Sequence, residues 1–415
     1  VIRRRHRSSS TSVAILILTL AAITGCADGS TPTRGDLTIS IDTVGNIIRV
    51  SNTGTPLDWR LVPVASFGPK SLAETGAAEE FGRVNSVAVG PDGPLFVADG
   101  LNHEVRVFGL DGVHRRTFGR NGEGPGEFRS LYSLAWVGDR LLTLDPNLGR
   151  IGEFSAEGEW LGQQRIEGSV SGPVDHIRFR PVSADRVYRL GYMRHATGVT
   201  SVLVGHDSRG ETGDTLSWLQ PPPESTGIIL CRHDPLITFF DIPFGSRLVQ
   251  YPGADGVHYS AMTDAYRIAV TRNATDTLRL IERSLREERI SDEEWTAGIR
   301  DFEEFLVENP NASCDPRRPS RPARKPFIED IFLAPDGTLW VEVIRSAGNR
   351  LEVFDPEGRL LGSLPARSRK EGSVPAFGAG HLVTVRRDSL DLDHVDVWRI
   401  ERAGRGTRGA IIDRL

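Results

Sequence analysis

Histidines, carboxylates, serines and cysteines are the residues that could do chemistry in this chain, and their spacing limits what that chemistry is. The ten histidines are scattered, with no HxH or HxxEH pair, so no local metal-binding motif is present. No GxSxG elbow occurs, which removes the α/β-hydrolase route to a serine nucleophile; a triad assembled from distant residues stays open. The run from Gly119 to Phe128, GRNGEGPGEF, could cradle an anion on successive backbone amides. It lacks the Lys and Ser/Thr of a phosphate-binding loop, and its glycines also fit a tight chain crossing. Asp99 and Asp145 could ligate a metal, or could take hydrogen bonds from their own turns. The polar residues that do align with one another are Ser86, Ser133, His176 and Asp330, with Asn85, Tyr132 and Glu329 preceding three of them. Together with Asn102, His103 and Asn147 they make a candidate polar pocket, or the lining of a water-filled channel.

That alignment comes from a repeat. Shifting the stretch from Phe81 to Gly126 by about 46 residues brings Val105, Val107 and Phe108 onto Ile151, Glu153 and Phe154. Asp111-Gly112 falls on Glu157-Gly158, and Asp99 on Asp145. A further copy lies downstream, where Pro335-Asp336-Gly337 matches Pro91-Asp92-Gly93 and Val353-Phe354 matches Val107-Phe108. Each copy alternates short apolar runs with Gly, Pro, Asp and Asn, which is strand and turn chemistry. Four short antiparallel strands in about 40–50 residues make one propeller blade. One such sheet cannot bury both faces, so blades must pack around an axis. The fold expected is all-β: a six-bladed β-propeller of four-stranded antiparallel blades with one short inserted helix.

The residues also carry a resemblance. Val97-Ala98-Asp99 followed by Asn102, Val105 and Phe108 resembles the NHL repeat core, and the 119–128 run leading to Ser133-Leu134-Ala135 resembles the link between NHL-type blades. The chain resembles the bacterial six-bladed β-propeller lipoproteins. Arg3, Arg4, Arg5 and Arg7 precede the apolar run Val13 to Ile23, a signal-peptide pattern too short to span a bilayer comfortably. Ile23-Thr24-Gly25-Cys26 resembles a lipobox. The resemblance implies a signal peptide over 1–25, a diacylated Cys26, a flexible tether over 26–36 and, with Ala27 after the cysteine, the outer membrane rather than the inner one. The side of that membrane stays open.

The propeller is expected over 37–402, with a tail at 403–415. A hairpin is expected over Leu37 to Val50. The strand from Trp59 to Phe67 precedes the first blade and so is the natural outer strand of the last, pairing beside Trp398 and removing a free sheet edge. Two stretches break the period, at about 221–245 and 283–326. The second holds a helix signal: Ser291 and Glu294 make a capping box, and Trp295, Ile299, Phe302 and Leu306 follow at helical spacing. Both insertions join an outer strand to the next inner strand, so both should emerge at the channel mouth. Each carries one cysteine, Cys231 and Cys314. In an oxidising compartment these are expected to pair, the alternative being two separate thiols.

Net charge is −5, and −9 without the four arginines of the first seven residues. That disfavours nucleic acid and leaves membrane contact to the lipid anchor alone. The reading favours a monomeric module that binds an unidentified protein or small molecule on its top face, without catalysis and without a cofactor. The alternative is a metal-dependent hydrolase or lyase at the channel mouth, as in other six-bladed propellers, although no residue-level match to their ligands is present. A purely structural envelope component is the third reading.

Overall fold

Apolar runs ended by Gly, Asp, Asn or Pro set the strand lengths of this chain. The computed structural model describes residues 36–69, 78–166, 179–183, 185–195, 198–217, 219, 227–233, 236–253, 256–272, 276–370 and 372–402. The expected signal peptide, Cys26, most of the tether, His176 and the tail lie outside the described residues.

The N-terminal part forms β1 (Thr38–Val44), β2 (Ile47–Thr53) and β3 (Arg60–Phe67). The first sheet is β4 (Val84–Val89), β5 (Leu95–Asp99), β6 (Glu104–Phe108) and β7 (His114–Phe118). The second is β8 (Ser133–Val137), β9 (Arg140–Asp145), β10 (Arg150–Phe154) and β11 (Trp160–Arg165). The third is β12 (Arg180–Ser183), β13 (Arg186–His195), β14 (Gly198–His206) and β15 (Thr212–Ser217). Next come β16 (Ile228–His233) and β17 (Leu236–Asp241), and then the fourth sheet of β18 (Leu248–Pro252), β19 (Val257–Met262), β20 (Arg267–Arg272) and β21 (Asp276–Arg283). The helix α1 (Asp292–Glu308) and the short β22 (Ser313–Asp315) precede the fifth sheet, β23 (Ile328–Leu333), β24 (Leu339–Val343), β25 (Arg350–Phe354) and β26 (Leu360–Pro365). The last sheet has β27 (Ala376–Gly378), β28 (His381–Arg387) and β29 (Asp393–Glu401). Among the described residues no helix is long and apolar enough to cross a membrane.

Each sheet pairs its strands antiparallel in chain order, and β3 completes the last one by pairing antiparallel with β29, Pro63 opposite Trp398. The first strand of each sheet packs on its neighbour: β4 on β8, β8 on β12, β12 on β18, β18 on β23, and β27 back on β4. Apolar cores bridge these pairs. Phe67, Phe81 and Phe108 join Val383, Val385, Val395 and Val397 between the last sheet and the first. Trp59, Leu61, Phe332, Trp340 and Leu382 do the same between the fifth and the last. Each fully buried Phe of this kind contributes about 2–3 kcal/mol. This is the blade arrangement of a β-propeller.

The expected hairpin forms as β1 and β2, but it does not stand alone. β2 runs parallel to β21, Val50 opposite Ile281, and widens the fourth sheet to six strands. The reason is a buried polar clamp. Asn52 is wholly buried; its Nδ2 donates to Gly358 O at 3.1 Å and its Oδ1 accepts from Leu360 N at 2.9 Å. Arg283, buried against Glu352 at 3.2 Å, also donates to Gly54 O at 2.9 Å. Further along, Trp59 N donates to Ser363 O at 2.8 Å. Residues 47–67 therefore strap the fourth, fifth and last sheets together.

The glycine-bearing turns before the outer strands are built for contact. A Cβ on Gly112 would lie 3.0 Å from Ala65 Cβ, and one on Gly158 would lie 2.5 Å from Phe118 Cδ1. Both glycines have positive φ, at 80° and 88°. Each turn thus rests on the outer strand of the preceding sheet, with no room for a side chain. Gly158→Ala should cost about 2–4 kcal/mol, from left-handed strain plus the clash with Phe118. Gly149→Ala, at φ 58° with open space around it, should cost only about 1–2 kcal/mol. Denaturant midpoints of the two variants check the difference.

Two buried histidines couple stability to pH. His206 Nδ1 faces Gly210 O at 3.0 Å and its Nε2 accepts from Arg189 Nε at 3.0 Å. Burial first, and then Arg189, lowers its pKa to about 4. Burial first, and then Arg180, lowers His258 to about 4 as well. The unfolded chain takes up these protons near 6.5 and the folded one near 4, so both rings favour the folded state fully above pH 6.5 and progressively less as pH falls toward 4. Each shift is worth roughly 3 kcal/mol. Urea midpoints should fall between pH 7 and pH 5, and His258→Leu should remove about half of the histidine-linked fall.

Candidate functional site

The residues aligned by the repeat are placed in two groups, both at the junctions between inner strands. In the first group, Asn85 Nδ2 donates to Leu131 O at 2.8 Å, and Ser86 Oγ accepts from Leu134 N at 3.1 Å. One repeat later Ser133 Oγ accepts from Phe179 N at 3.0 Å. In these two repeats the shared position fastens one inner strand to the segment that follows in the next sheet. Tyr132 packs beside the apolar cluster between the second and third sheets. Asn102 donates from its backbone and its side chain to Asp99, at 3.3 and 2.9 Å. His103 follows in left-handed conformation, φ 59°, with its Nδ1 buried and unbonded among the described residues.

The second group is ionic. Glu329 Oε1 takes Arg247 Nη2 at 2.6 Å, joining the fifth sheet to the fourth. Burial works against the charge of Arg247, but Glu329, backed by Asp330, holds its pKa above the usual guanidinium range. Asp330 Oδ2 takes Arg369 Nη2 at 3.1 Å, and the same guanidinium reaches Glu342 at 3.2 Å. Lys370 Nζ bonds Val84 O at 3.0 Å and Asp393 at 2.7 Å, while Val84 N donates to Asp393 at 2.9 Å. These contacts tie the last sheet to the fifth and to the first.

The other candidates are also occupied by the chain itself. Asp99 accepts from Gly82 N at 3.0 Å and Arg83 N at 3.1 Å, and pairs with Arg106 at 3.3 Å. Asp145 accepts from Arg129 N at 2.8 Å and Leu148 N at 3.1 Å. Both therefore serve as turn organisers. In the glycine-rich link Gly124 N donates to Glu127 Oε2 at 2.8 Å, and the carbonyls of Glu123 and Gly124 accept from Arg150 at 3.1 and 3.0 Å. Its amide is turned to a carboxylate of its own chain. Among the described residues no three His, Cys, Asp or Glu side chains come together as metal ligands would.

The two insertions meet, as expected, but as a built sheet. β16 pairs antiparallel with β17 on one side and β22 on the other. Cys231 and Cys314 face each other in that register and form a disulfide, Cα atoms 4.0 Å apart. α1 covers one face. Its capping box forms as the spacing predicts, Glu294 N donating to Ser291 Oγ at 3.1 Å and Ser291 N to Glu294 Oε2 at 2.9 Å. Ile299 and Phe302 are buried against Ile229, Cys231, Ala312 and Cys314, with Phe240 edge-on to Phe302 and tilted against Phe305. Lys325 ties the assembly to the fifth sheet through Glu294 and through Ser346 Oγ at 2.8 Å.

The opposite face of this small sheet is open. The register sets Leu230 beside Phe239 and Arg232 beside Ile237, away from the helix. Ile237 is 55% exposed and Phe239 60%, and β17 is one of the sheet's two edge strands. Alternation in LITFFD could have flagged the strand, but β16 and β22 are too far apart in sequence to be paired without coordinates.

No protein-family model and no curated protein matches this chain. Among solved structures it is similar to a putative exported protein from Bacteroides fragilis, at 11% identity over 83% of this chain and 99% of that one, TM-score 0.41. It is also similar to a DUF4221 family member from Bacteroides vulgatus, at 9% identity over 83% and 98%, TM-score 0.43. A third is BamB from Moraxella catarrhalis, at 11% identity over 89% and 99%, TM-score 0.37. None of these likenesses assigns an activity or a ligand.

Proposed function

We propose that this chain is a lipid-anchored, six-bladed propeller of the bacterial envelope that works as a binding module through its capped top face. Six sheets, each sharing a core with the next, support the blade count. The Cys231–Cys314 bridge suits an oxidising compartment, and the lipobox-like Cys26 supplies the anchor. The observation that carries the reading is the helix-backed sheet whose outer face presents Ile237 and Phe239 to solvent. A rigid apolar face on an edge strand is the kind of surface to which another polypeptide adds. Glu329, Asp330 and Asp393 are already paired with Arg247, Arg369 and Lys370, which favours docking over a metal-assisted reaction.

Site-specific photo-crosslinking in intact cells tests the docking face. A crosslinker at position 237 should give a discrete adduct that Phe239→Ser abolishes, whereas one at exposed Val113 should not give that adduct. Equal adducts from both positions, or none from 237, would refute the docking face. Cys26→Ser should move the protein from the membrane to the soluble fraction; unchanged fractionation would refute the anchor alone.

A further inference from the structure

The edge of the widened fourth sheet is built differently from the edges of the other blades. β1 is the last strand of its sheet, and among the described residues no strand pairs with its far side. The outer strands β7, β11, β15, β26 and β3 each break register with the strand they pair with. β7 also carries Arg115 and Arg116, while β26 and β3 carry Pro365 and Pro63. Bulges, charges and prolines are the devices that keep sheet edges from pairing with other chains. β1 reads TISIDTV; it pairs with β2 without a break from Thr38 to Val44, and its only charge is Asp42.

Alternation along the strand assigns its free groups. β1 and β2 are joined by the two-residue turn Gly45-Asn46, with Gly45 at φ 63°, so Val44 and Ile47 form the bonded pair that closes the hairpin. Counting back, Asp42 and Ser40 bond to β2, and the N–H and C=O groups of Ile39, Ile41 and Thr43 point to the open edge. Their side chains share a face with Asn52, Val50 and Ile48, the residues opposite them. Ile39, Ile41 and Ile48 are exposed, Ile41 to 57%. The edge thus sets unpaired backbone groups beside an apolar strip. A bilayer could cover the strip, but it has nothing to bond the backbone; another strand does both.

We infer that β1 is the two-fold contact of a homodimer, in place of the monomer expected from the sequence: β1 of one copy pairs antiparallel with β1 of a second about an axis at Ile41. Ile41 is the middle residue of the seven, so this register uses the whole strand. It sets Ile41 against Ile41 and Ile39 against Thr43, each a pair of the kind that exchanges both N–H···O bonds. The exposed isoleucines of the two copies then form one strip. On the opposite face Ser40 meets Asp42, hydroxyl to carboxylate, and Thr38 meets Val44. An axis at Asp42 would instead set two carboxylates face to face. The strand is thus complementary to itself read backwards, which is the property of an isologous contact and not of an edge shaped for an unrelated strand. It lies on a different sheet from Ile237 and Phe239, so it does not depend on the docking face. One strand per copy is small beside the roughly 1,200–2,000 Å² of stable interfaces, so the dimer forms reversibly and is favoured where chains are crowded.

Cysteine crosslinking of the full chain in intact cells tests the pairing. With a short bismaleimide, Ile41→Cys should give a homodimer adduct that the parent chain does not. Thr38→Cys alone should give none, because its two copies lie about 20 Å apart along the strands. Thr38→Cys and Val44→Cys chains expressed together should give one. In the Ile41→Cys background, Thr43→Pro removes an outward N–H that β2 does not use, and should cut the adduct at least about tenfold with an unchanged melting transition. Ser40→Asp, which sets two carboxylates opposite each other, should also cut it, and adding Asp42→Asn should restore it. No adduct from Ile41→Cys, an adduct with the mass of a different partner, or as much adduct from Thr38→Cys alone as from Ile41→Cys would overturn the proposal. So would an adduct indifferent to both Thr43→Pro and Ser40→Asp.

Discussion

β3 hydrogen-bonds to β29, more than 300 residues away, and the rest of the structure depends on that pairing. Without β3, the last sheet would expose β29 as an open edge, and Phe67 would be missing from the core it shares with Phe81, Phe108 and Val395. An unpaired edge and an uncovered core are both costly in water. The closure is reinforced upstream. Asn52, Gly54, Asp58 and Trp59 bond in turn to the fourth and fifth sheets before β3 reaches the last one. The strap therefore spreads its load over three sheets rather than over one strand.

Polarity at the sheet junctions is spent on the same task. Ser86, Ser133, Arg247, Arg369 and Lys370 each bridge one sheet to the next. Inner strands bring backbone ends close together where water is scarce, and each buried donor or acceptor there needs a partner. Of the side chains aligned by the repeat, Asn85, Ser86 and Ser133 satisfy such backbone groups. Apolar surface is left open on the outer face of the disulfide-braced sheet, where Ile237 and Phe239 stay exposed.

Much of this was legible beforehand for physical reasons. Asp-Gly and Glu-Gly turns mark hairpins because glycine alone accepts the left-handed backbone there without strain, as Gly112 and Gly158 do. The helix was legible because capping is local: Ser291 and Glu294 lie one turn apart. The cysteine pairing was legible because each of the two insertions that break the repeat carries one thiol. What could not be read were pairings between distant segments. β2 on β21, β16 on β22, and Arg369 over Phe332 join stretches tens to hundreds of residues apart.

The sequence by itself determined the repeating strand-and-turn unit, the helix, the site of closure and the thiols that would meet. Each rests on short-range backbone preference or on the geometry of a repeated sheet, and both are written in nearest neighbours. Only the tertiary structure decided which polar side chains are free. That depends on what the next sheet offers across the interface: a backbone amide for Ser86, a carboxylate for Arg369, only an indole ring for Arg367. No local pattern encodes the partner, so an arginine fastens two sheets at one junction and stacks on a ring at the surface at another.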